Sequence, residues 1–340
     1  MHDLMSYLQP IRRRISVRFV IDRDPDHRKS IFLAGSCRSG GAWICEAINQ
    51  RNDYRYIFEP FHPKRAPWMK PFPPRKYMRP DEEDPEFFEL ARAIVTGRMR
   101  DPWSERFNWR LIAHERLIKE DFANLMLKWL HVKFQGMPLI LMLRHPCAIA
   151  LSHATHGFRH STIAPLLQQE KLVEDFLRPY MDEIRRAHDP FERAVFLWCI
   201  ETLVPLKQLR PGEVHILFYE NLVREPASEI EKLCSYLGKS PEGINIKRLD
   251  RPSLTARRAT SAVWTGEDRV EGWQKKVTDA QRRRAAEIVA MFGLDRIYTD
   301  EPLPCVEGIQ EIMNGGRSGA LRTQTAPQPP LTLQVRSAST

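Results

Sequence analysis

Residues 35–43 read Gly-Ser-Cys-Arg-Ser-Gly-Gly-Ala-Trp and contain two glycines separated by four residues. This spacing is typical of a loop between a strand and a helix, where backbone N–H groups and the positive helix end enclose a phosphate. A magnesium-dependent triphosphatase also needs a lysine and a serine or threonine after the second glycine. Gly41 and Ala42 occupy those positions, and the cation lies earlier as Arg38. The segment predicts phosphate binding without metal-dependent phosphoryl transfer, although two glycines alone also fit an ordinary turn.

The elements around this loop alternate between strand and helix. Short apolar runs predict strands at residues 31–34, 54–58, 139–143 and 214–219. Apolar residues at helical spacing lie between them, beginning with Trp43, Ile44, Ala47 and Ile48. Such alternation produces a parallel sheet covered on both faces. We therefore predict an α/β fold, a three-layer sandwich with a central parallel sheet and a P-loop-like phosphate-binding loop.

The length of 340 residues fits one α/β domain with insertions and a tail. We interpret residues 1–28, which are polar and basic, as a lead-in segment, and residues 29–300 as the domain itself. Within the domain, residues 61–110 are rich in proline and aromatic side chains, which indicates an inserted lid or acceptor-binding segment. Residues 301–340 turn rich in glycine, serine, threonine and proline, so we predict a disordered tail.

Composition narrows the class of partner. The chain has 52 lysine and arginine residues against 43 acidic residues, a formal net charge of +9, which favours a polyanionic ligand. No nucleic-acid-binding motif is present, so no nucleic acid partner is expected. The six cysteines lack the paired spacing of a metal site and fit a reducing cytoplasm. Because the sequence shows no signal peptide and no apolar run long enough to span a membrane, we expect a cytoplasmic protein. The cysteine spacing also leads us to expect no metal ion.

Residues 35–43 resemble the first loop of the sulfotransferases that depend on 3′-phosphoadenosine 5′-phosphosulfate (PAPS), which commonly reads G-S-x-R-S-G-T-T-W. Seven of the nine positions agree when the variable one is counted. The resemblance implies that Arg38 and the loop backbone hold the 5′-phosphosulfate and that Trp43 lies near the adenine. Gly41 and Ala42 replace two threonines whose hydroxyl groups ordinarily donate to the 5′-phosphate. The backbone donors of residues 39–42 and the Ser39 hydroxyl would then serve instead.

A second family signature is an arginine at a strand end followed eight residues later by a serine, and Arg144 and Ser152 match it. An arginine fork and a hydroxyl at a helix start can bind one phosphate, here the donor's 3′-phosphate. The alternative is a surface salt bridge for Arg144 and a solvated Ser152. Residues 218–222 resemble the family's tyrosine-glutamate-aspartate-leucine stretch, which adds Tyr219 to the donor site. Arg257, Arg258 or Arg269 would complete the 3′-phosphate clamp.

Transfer of a sulfuryl group needs a base near the acceptor and a cation near the sulfonate. Glu59 is similar to the glutamate of a glutamate-proline element in carbohydrate-type sulfotransferases, and Lys119 to a lysine that related enzymes place beside the sulfonate. Asp121 and His62 are further candidates for the base. The alternatives are an ordinary ion pair for Glu59, an N-cap role for Asp121 before the next predicted helix, and a solvated loop position for His62.

The resemblance therefore implies a PAPS-dependent sulfotransferase that acts on a hydroxyl or amine of a small molecule or glycan and forms no membrane span. Trp68, Trp103 and Trp109 are candidates for stacking on a sugar or aromatic acceptor, with core packing as the alternative. A homodimer is left open. Two rival functions also stay open: an inactive nucleotide-binding or assembly protein with the same fold, and a P-loop kinase.

Overall fold

The structure is a computed structural model that describes residues 19–156, 163–256 and 262–315. The strands are β1 (Ile21–Asp22), β2 (Ser30–Gly35), β3 (Arg55–Phe58), β4 (Ile112–Ala113), β5 (Arg116–Glu120), β6 (Leu139–Leu143) and β7 (His215–Phe218). Five of them form a parallel sheet in the order β3-β5-β2-β6-β7, and β1 pairs with β4 in a separate parallel ribbon. The four predicted strand runs agree with β2, β3, β6 and β7 to within a residue at each end.

Helices connect the strands and cover the sheet. They are α1 (Gly41–Ile48), α2 (Pro85–Val95), α3 (Leu127–Lys133), α4 (Pro146–His156), α5 (Ala164–Leu167), α6 (Glu170–Leu172), α7 (Met181–Arg186), α8 (Pro190–Gln208), α9 (Tyr219–Arg224), α10 (Pro226–Leu237), α11 (Ala262–Thr265), α12 (Asp279–Met291) and α13 (Glu307–Gly315). In the part of the chain that the structure describes, none of these helices is long and apolar enough to cross a membrane.

Side chains of the sheet alternate between two faces, and each face is packed against helices. Phe32 and Leu141 belong to the core shared with α8, whereas Leu33 and Ile140 belong to the core shared with α1 and α10. All four side chains are fully buried. Because both faces are covered, these strands are apolar along their whole length and not only at alternate positions. The prediction of a three-layer α/β sandwich around a parallel sheet is confirmed.

The carboxyl ends of the strands meet at one edge of the sheet. Gly35, the last residue of β2, lies level with Met142 of β6, and Phe58, the last residue of β3, lies level with Lys119 of β5. The residues that follow each strand therefore emerge side by side. In open parallel sheets this edge is where ligands bind.

Buried ion pairs attach the segments outside the sheet to its first strands. The Arg55 guanidinium pairs with Asp22 at 3.2 Å and also with Glu105, while Arg116 pairs with Asp22 at 2.6 Å. Both arginine side chains are fully buried, and the carboxylates compensate their charge. Asp22 lies in the predicted lead-in and Glu105 in the predicted insertion, so the described residues around Asp22 and Glu105 are attached to the domain.

Asp121 does not cap the helix that the periodicity predicts after it. The next helical turns run from Asn124 to Met126 as a 3-10 helix and then as α3, and their N-cap residues are Ala123 and Met126. The Asp121 carboxylate instead pairs with Lys119. The N-cap prediction is wrong because an adjacent buried cation binds this carboxylate.

The prediction of a disordered tail is wrong for α13, and residues 316–340 lie outside the described part of the chain. Ile309, Ile312 and Met313 of α13 are buried in the main core. Their spacing of three and four residues is that of one helix face, but the glycine-rich composition around it hides the pattern. Burial of these three side chains stabilises a helix that the composition of the segment does not predict.

We expect Ile312→Ala to lower the free energy of unfolding by about 2–5 kcal/mol, because it removes buried methyl groups and leaves a cavity. Urea unfolding at pH 7 measures the change. Gln310→Ala, at an exposed position of the same helix, is the matched control and should change stability by less than about 0.5 kcal/mol. Equal effects of the two substitutions would contradict the packing of α13 on the domain.

Candidate active site

A cavity of about 770 Å³ opens at the carboxyl edge of the sheet. It is lined by residues of the loop after β2, by the ends of β3 and β5, by α4 and by the segments around residues 252–276. Eleven of the twelve site residues predicted from the sequence lie in its wall: Arg38, Gly40, Gly41, Ala42, Trp43, Glu59, Lys119, Arg144, Ser152, Tyr219 and Arg269. The structure thus brings together residues that are separated by up to 231 positions in the chain, from Arg38 to Arg269.

Ser39 is the predicted site residue that the structure keeps apart from the cavity wall. Its backbone N–H donates to the Ser36 carbonyl at 3.0 Å, and its side chain is buried. Within the described residues, its Oγ atom has no hydrogen-bond partner. The hydroxyl lies against Gly35, where an added Cβ atom would be 2.6 Å away.

The loop after β2 contains two residues with left-handed backbone, Arg38 at φ 76° and Gly40 at φ 103°. Left-handed residues between right-handed ones turn successive N–H groups toward one side, which forms an anion-binding concavity. Glycine is required at position 40 because an added Cβ would lie 2.7 Å from the Tyr219 ring. Gly40 is the N-cap of α1, whose first N–H groups have no acceptor within the helix. The loop and the helix end can therefore donate to the same anion.

Gly41 brings the loop close to Lys119. A Cβ at position 41 would lie 3.1 Å from the Leu33 Cδ2 atom and 3.4 Å from the Lys119 Cε atom. A threonine here would need both side chains to move. The departure from the family's first threonine therefore coincides with close packing of Lys119 beneath the loop.

The two predicted phosphate-binding corners are directly connected. The Arg38 Nε atom donates to the Ser152 Oγ atom at 3.0 Å, and the Arg144 Nη1 atom donates to the Arg38 carbonyl at 3.1 Å. Arg144 also lies over the Tyr219 ring, with its Cζ atom 4.1 Å from the ring centre. Sequence spacing pairs Ser152 with Arg144, whereas the structure pairs it with Arg38. Loop and α4 thus form one cationic surface.

A pair of aromatic rings lies beside these cations. The rings of Trp43 and Tyr219 are 5.4 Å apart, and the Trp43 Nε1 atom donates to the Leu249 carbonyl at 3.1 Å. Arg269 donates to the same carbonyl at 2.8 Å and lies over the Trp43 ring. The two rings are tilted by 53° relative to each other, and the guanidinium groups of Arg269 and Arg144 lie over their faces. Arg257 and Arg258, the other arginines proposed for the clamp, lie outside the described residues.

Beneath the loop, Lys119 lies between two carboxylates. Its Nζ atom is 2.6 Å from Glu59 Oε1 and 2.5 Å from Asp121 Oδ2. The Glu59 N–H donates to the Lys119 carbonyl at 2.7 Å, and Glu59 has left-handed backbone at φ 46°. All three side chains are buried. The register of β3 and β5 places them together: Lys119 is the penultimate residue of β5, Asp121 follows β5, and Glu59 follows β3.

Burial and neighbouring charges shift the pKa values of this cluster. Burial raises the pKa of Glu59 to about 7, while the Lys119 ammonium lowers it and the Asp121 carboxylate raises it. Burial by itself lowers the pKa of Lys119, but Asp121 and Glu59 raise it above its ordinary value. Lys119 therefore stays charged, and Glu59 is able to exchange a proton near neutral pH.

Glu120 positions the backbone around this cluster. Its carboxylate accepts the N–H groups of Phe61 at 2.8 Å, Asp121 at 2.8 Å and Phe122 at 2.9 Å. One buried side chain thus holds the loops after β3 and β5 in place. The sequence analysis missed Glu120, because consecutive charged residues at a strand end do not reveal which one points into the core.

Another part of the cavity wall is aromatic and basic. His62 lies with its ring centre 5.2 Å from that of Trp103 and 4.7 Å from that of Phe122, and its Nδ1 atom accepts the Lys64 N–H. Of the three tryptophans proposed to stack on the acceptor, only Trp103 lines the described cavity. The sequence analysis also missed the lining residues Phe58, Arg65, Arg106 and Phe107.

Within residues 19–156, 163–256 and 262–315, no group of three or more histidine, cysteine or acidic side chains is arranged to hold a metal ion. The six cysteines form no disulfide bonds. The charged groups of the described cavity are thus those of arginine, lysine and carboxylate side chains.

Comparisons with solved structures return sulfotransferases. A sulfotransferase from Alicyclobacillus acidocaldarius is 14% identical over 87% of this chain and 100% of that chain, with a TM-score of 0.42. The sulfotransferase domain of the Synechococcus PCC 7002 olefin synthase is 15% identical over 78% of this chain and 94% of that chain, with a TM-score of 0.39. The sulfotransferase domain of the curacin biosynthetic pathway is 14% identical over 78% and 97%, with a TM-score of 0.36.

No curated protein sequence matches the chain. The family model described as the sulfotransferase family matches residues 30–241. This region contains the five strands of the central sheet, the loop after β2 and the Lys119 cluster. It comprises more than half of the chain, which therefore belongs to the sulfotransferase family.

Proposed function

We propose that this sulfotransferase uses PAPS as its donor and transfers the sulfuryl group to a hydroxyl or amine of a small molecule or glycan. One observation carries the proposal: a single cavity is lined both by the cations Arg38 and Arg144 and by the buried Glu59–Lys119 pair. The first set of groups is suited to phosphates, and the second to proton and charge transfer.

The residues of the cavity fit the donor. The N–H groups of residues 40–43 and the Arg38 guanidinium would hold the 5′-phosphosulfate, and Arg144 with Ser152 the 3′-phosphate. Trp43 and Tyr219 would lie against the adenine, and Arg269 would add a cation beside it. The volume of about 770 Å³ falls within the usual range of ligand cavities, roughly 300–1,000 Å³.

When bound, PAPS supplies an activated sulfuryl group. Glu59 would accept the proton of the acceptor hydroxyl or amine, and the Lys119 ammonium would stabilise negative charge at the transfer point. Glu59 is favoured over His62 because the His62 Nδ1 atom already accepts the Lys64 N–H at 3.2 Å. Asp121 would hold Lys119 in place and keep it charged. We also infer a cytoplasmic location, since the six cysteines are free thiols.

An inactive nucleotide-binding protein is the rival with a specific observation in its favour, the absence of both loop threonines. The close packing of Gly41 on Leu33 and Lys119 weakens the case for an inactive protein, because it explains the glycine by packing and not by loss of activity. A kinase is disfavoured by the same two positions, which lack the lysine and hydroxyl that bind a triphosphate and magnesium.

Calorimetric titration with 3′-phosphoadenosine 5′-phosphate (PAP), ATP and ATP with magnesium separates these functions. We expect PAP to bind more tightly than ATP under either condition, because ATP lacks the 3′-phosphate. A labelled-PAPS screen of phenols, sugars and amines then tests transfer. Preference for ATP with magnesium would support the kinase, and PAP binding without transfer to any acceptor would support the inactive protein.

We expect Arg144→Ala to weaken PAP binding by about 1.5–3 kcal/mol, because a guanidinium that bonds a phosphate is lost. Arg210→Ala removes an exposed arginine outside the cavity and serves as the control, with PAP affinity unchanged. Calorimetry measures both variants, and circular dichroism checks that each is folded. An unaltered PAP affinity in folded Arg144→Ala would remove this residue from the donor site.

We expect kcat/KM to rise with pH up to an inflection near pH 7, because protonated Glu59 cannot accept a proton. Glu59→Gln should lower kcat/KM by roughly 10²- to 10⁴-fold and abolish the inflection. Asp121→Asn should keep the inflection but move it to lower pH, since the Asp121 carboxylate raises the pKa of Glu59. If Asp121→Asn abolishes the inflection and Glu59→Gln retains it, the base is Asp121.

Gly41→Thr restores the family's threonine and should lower kcat, since its side chain would displace Lys119. We expect stability to fall by about 1–3 kcal/mol through overpacking. Gly41→Ala is the matched variant and should show a smaller loss of both. Rates with labelled PAPS and urea unfolding measure the two effects. Higher PAP affinity together with an unchanged or higher kcat would mean that the glycine only weakens donor binding.

A further inference from the structure

Two arginines of the segment 61–110 line the cavity beside Trp103. Arg106 and Arg65 both lie over the indole ring of Trp103, with their Cζ atoms 4.4 Å and 5.3 Å from its centre. All three residues belong to the segment 61–110, and all three line the cavity. We name Arg65, Trp103 and Arg106 the arginine strip.

The arginine strip is continuous with the reaction cluster through Phe58. The Phe58 ring centre lies 5.0 Å from the Lys119 Nζ atom and 5.7 Å from the Arg106 Cζ atom. It also lies 5.6 Å from the Trp103 ring centre. A single aromatic ring thus separates the Lys119 ammonium from the first guanidinium of the strip.

The charge balance favours an anion beside the arginine strip. The carboxylates of Glu59 and Asp121 are both bound to Lys119 at 2.6 Å and 2.5 Å. The strip contributes two guanidinium groups, and the two other carboxylates that line the cavity, Glu267 and Asp268, pair with Lys276 and Arg224. Cations that line a cleft with apolar walls attract anionic ligands more strongly than the same charges in open solvent.

The aromatic contacts also restrict the Arg106 side chain in an orientation suited to binding an anion. Arg106 lies over three rings, with Phe107 at 4.7 Å in addition to Phe58 and Trp103. Contact with ring faces restricts a long side chain while its N–H groups point outward in the guanidinium plane. Less conformational entropy is then lost when the planar fork binds a carboxylate, phosphate or sulfate.

We propose that the acceptor carries an anionic group, a carboxylate, phosphate or sulfate, in addition to the hydroxyl or amine that is sulfated, and that the arginine strip binds it. Arg65 and Arg106 are then specificity-determining residues, which hold the acceptor so that its nucleophile faces Glu59 and Lys119. The inference rests on the proposed function, since it assigns this part of the cavity to the acceptor.

The test compares an acid with a neutral analogue of similar shape: 4-hydroxyphenylacetate with its methyl ester, and methyl glucuronide with its methyl ester. Calorimetry measures their binding to the protein saturated with PAP. We expect the acid of at least one pair to bind 10-fold or more tighter than its neutral partner. Arg106→Gln and Arg65→Gln should each reduce that advantage by roughly 10-fold or more, while the affinity for the neutral compound stays within about twofold.

Further variants separate charge from packing. Arg106→Lys keeps the positive charge and should retain part of the preference for the acid, whereas Arg106→Met keeps only the apolar stem and should abolish it. Arg100→Gln changes an exposed arginine of the same segment outside the cavity, and should leave all affinities unchanged. Where a compound is also sulfated, the strip variants should raise KM for the acid more than they lower kcat.

The affinity for PAP distinguishes failure of the proposed function from failure of the acceptor inference alone. If the unmodified protein does not bind PAP, the proposed function fails and the acceptor assignment fails with it. If it binds PAP but prefers no acid over its neutral partner, the anionic-acceptor inference alone is overturned. The same conclusion follows if the preference exists but persists in both Arg65→Gln and Arg106→Gln with unaltered PAP binding.

Discussion

The site depends on a buried cation that must be compensated within the protein. The Lys119 ammonium lies out of water, where a lone charge is strongly disfavoured, and Glu59 and Asp121 flank it within hydrogen-bond distance. This arrangement requires the carboxyl ends of β3 and β5 to be side by side. It also requires the loops after them to be held, and Glu120 holds them through three backbone N–H groups.

The same cluster contains the groups that we propose for proton transfer. A lysine that stays charged and a glutamate that exchanges its proton near neutral pH complement each other, because their mutual attraction opposes the effect of burial on both groups. The cluster also limits the loop above it. A Cβ at position 41 would lie 3.1 Å from the Leu33 Cδ2 atom and 3.4 Å from the Lys119 Cε atom, so the loop packs directly on both side chains.

Aromatic rings have a second role, which is to hold arginines without neutralising them. Arg144 lies over Tyr219, Arg269 over Trp43, and Arg106 over Trp103. A ring face attracts a guanidinium group but does not neutralise its charge as a carboxylate does. These ring contacts occur both among the residues proposed to bind the donor and in the arginine strip. The carboxylates of Glu59 and Asp121, by contrast, pair with Lys119, where proton transfer is proposed.

The sequence predicted those parts of the protein that arise from contacts between near neighbours in the chain. The loop at residues 35–43 and the apolar strands are of this kind, because turn spacing and burial on both faces leave a local pattern. The sequence was less informative where a distant group competes. The sequence around Asp121 predicts an N-cap, but the structure places Lys119 beside its carboxylate. The composition around α13 predicts a tail, but its apolar face is buried in the core.

The sequence alone therefore determined the fold class and the loop between β2 and α1, and it identified eleven residues that line the cavity. The tertiary structure decided which residues meet: Ser152 with Arg38, Lys119 with Glu59, and Phe58 with Arg106. The physical reason is that these contacts depend on strand register and on how loops cross the sheet edge. Both result from packing of the whole domain, and neither leaves a spacing that a single sequence reveals.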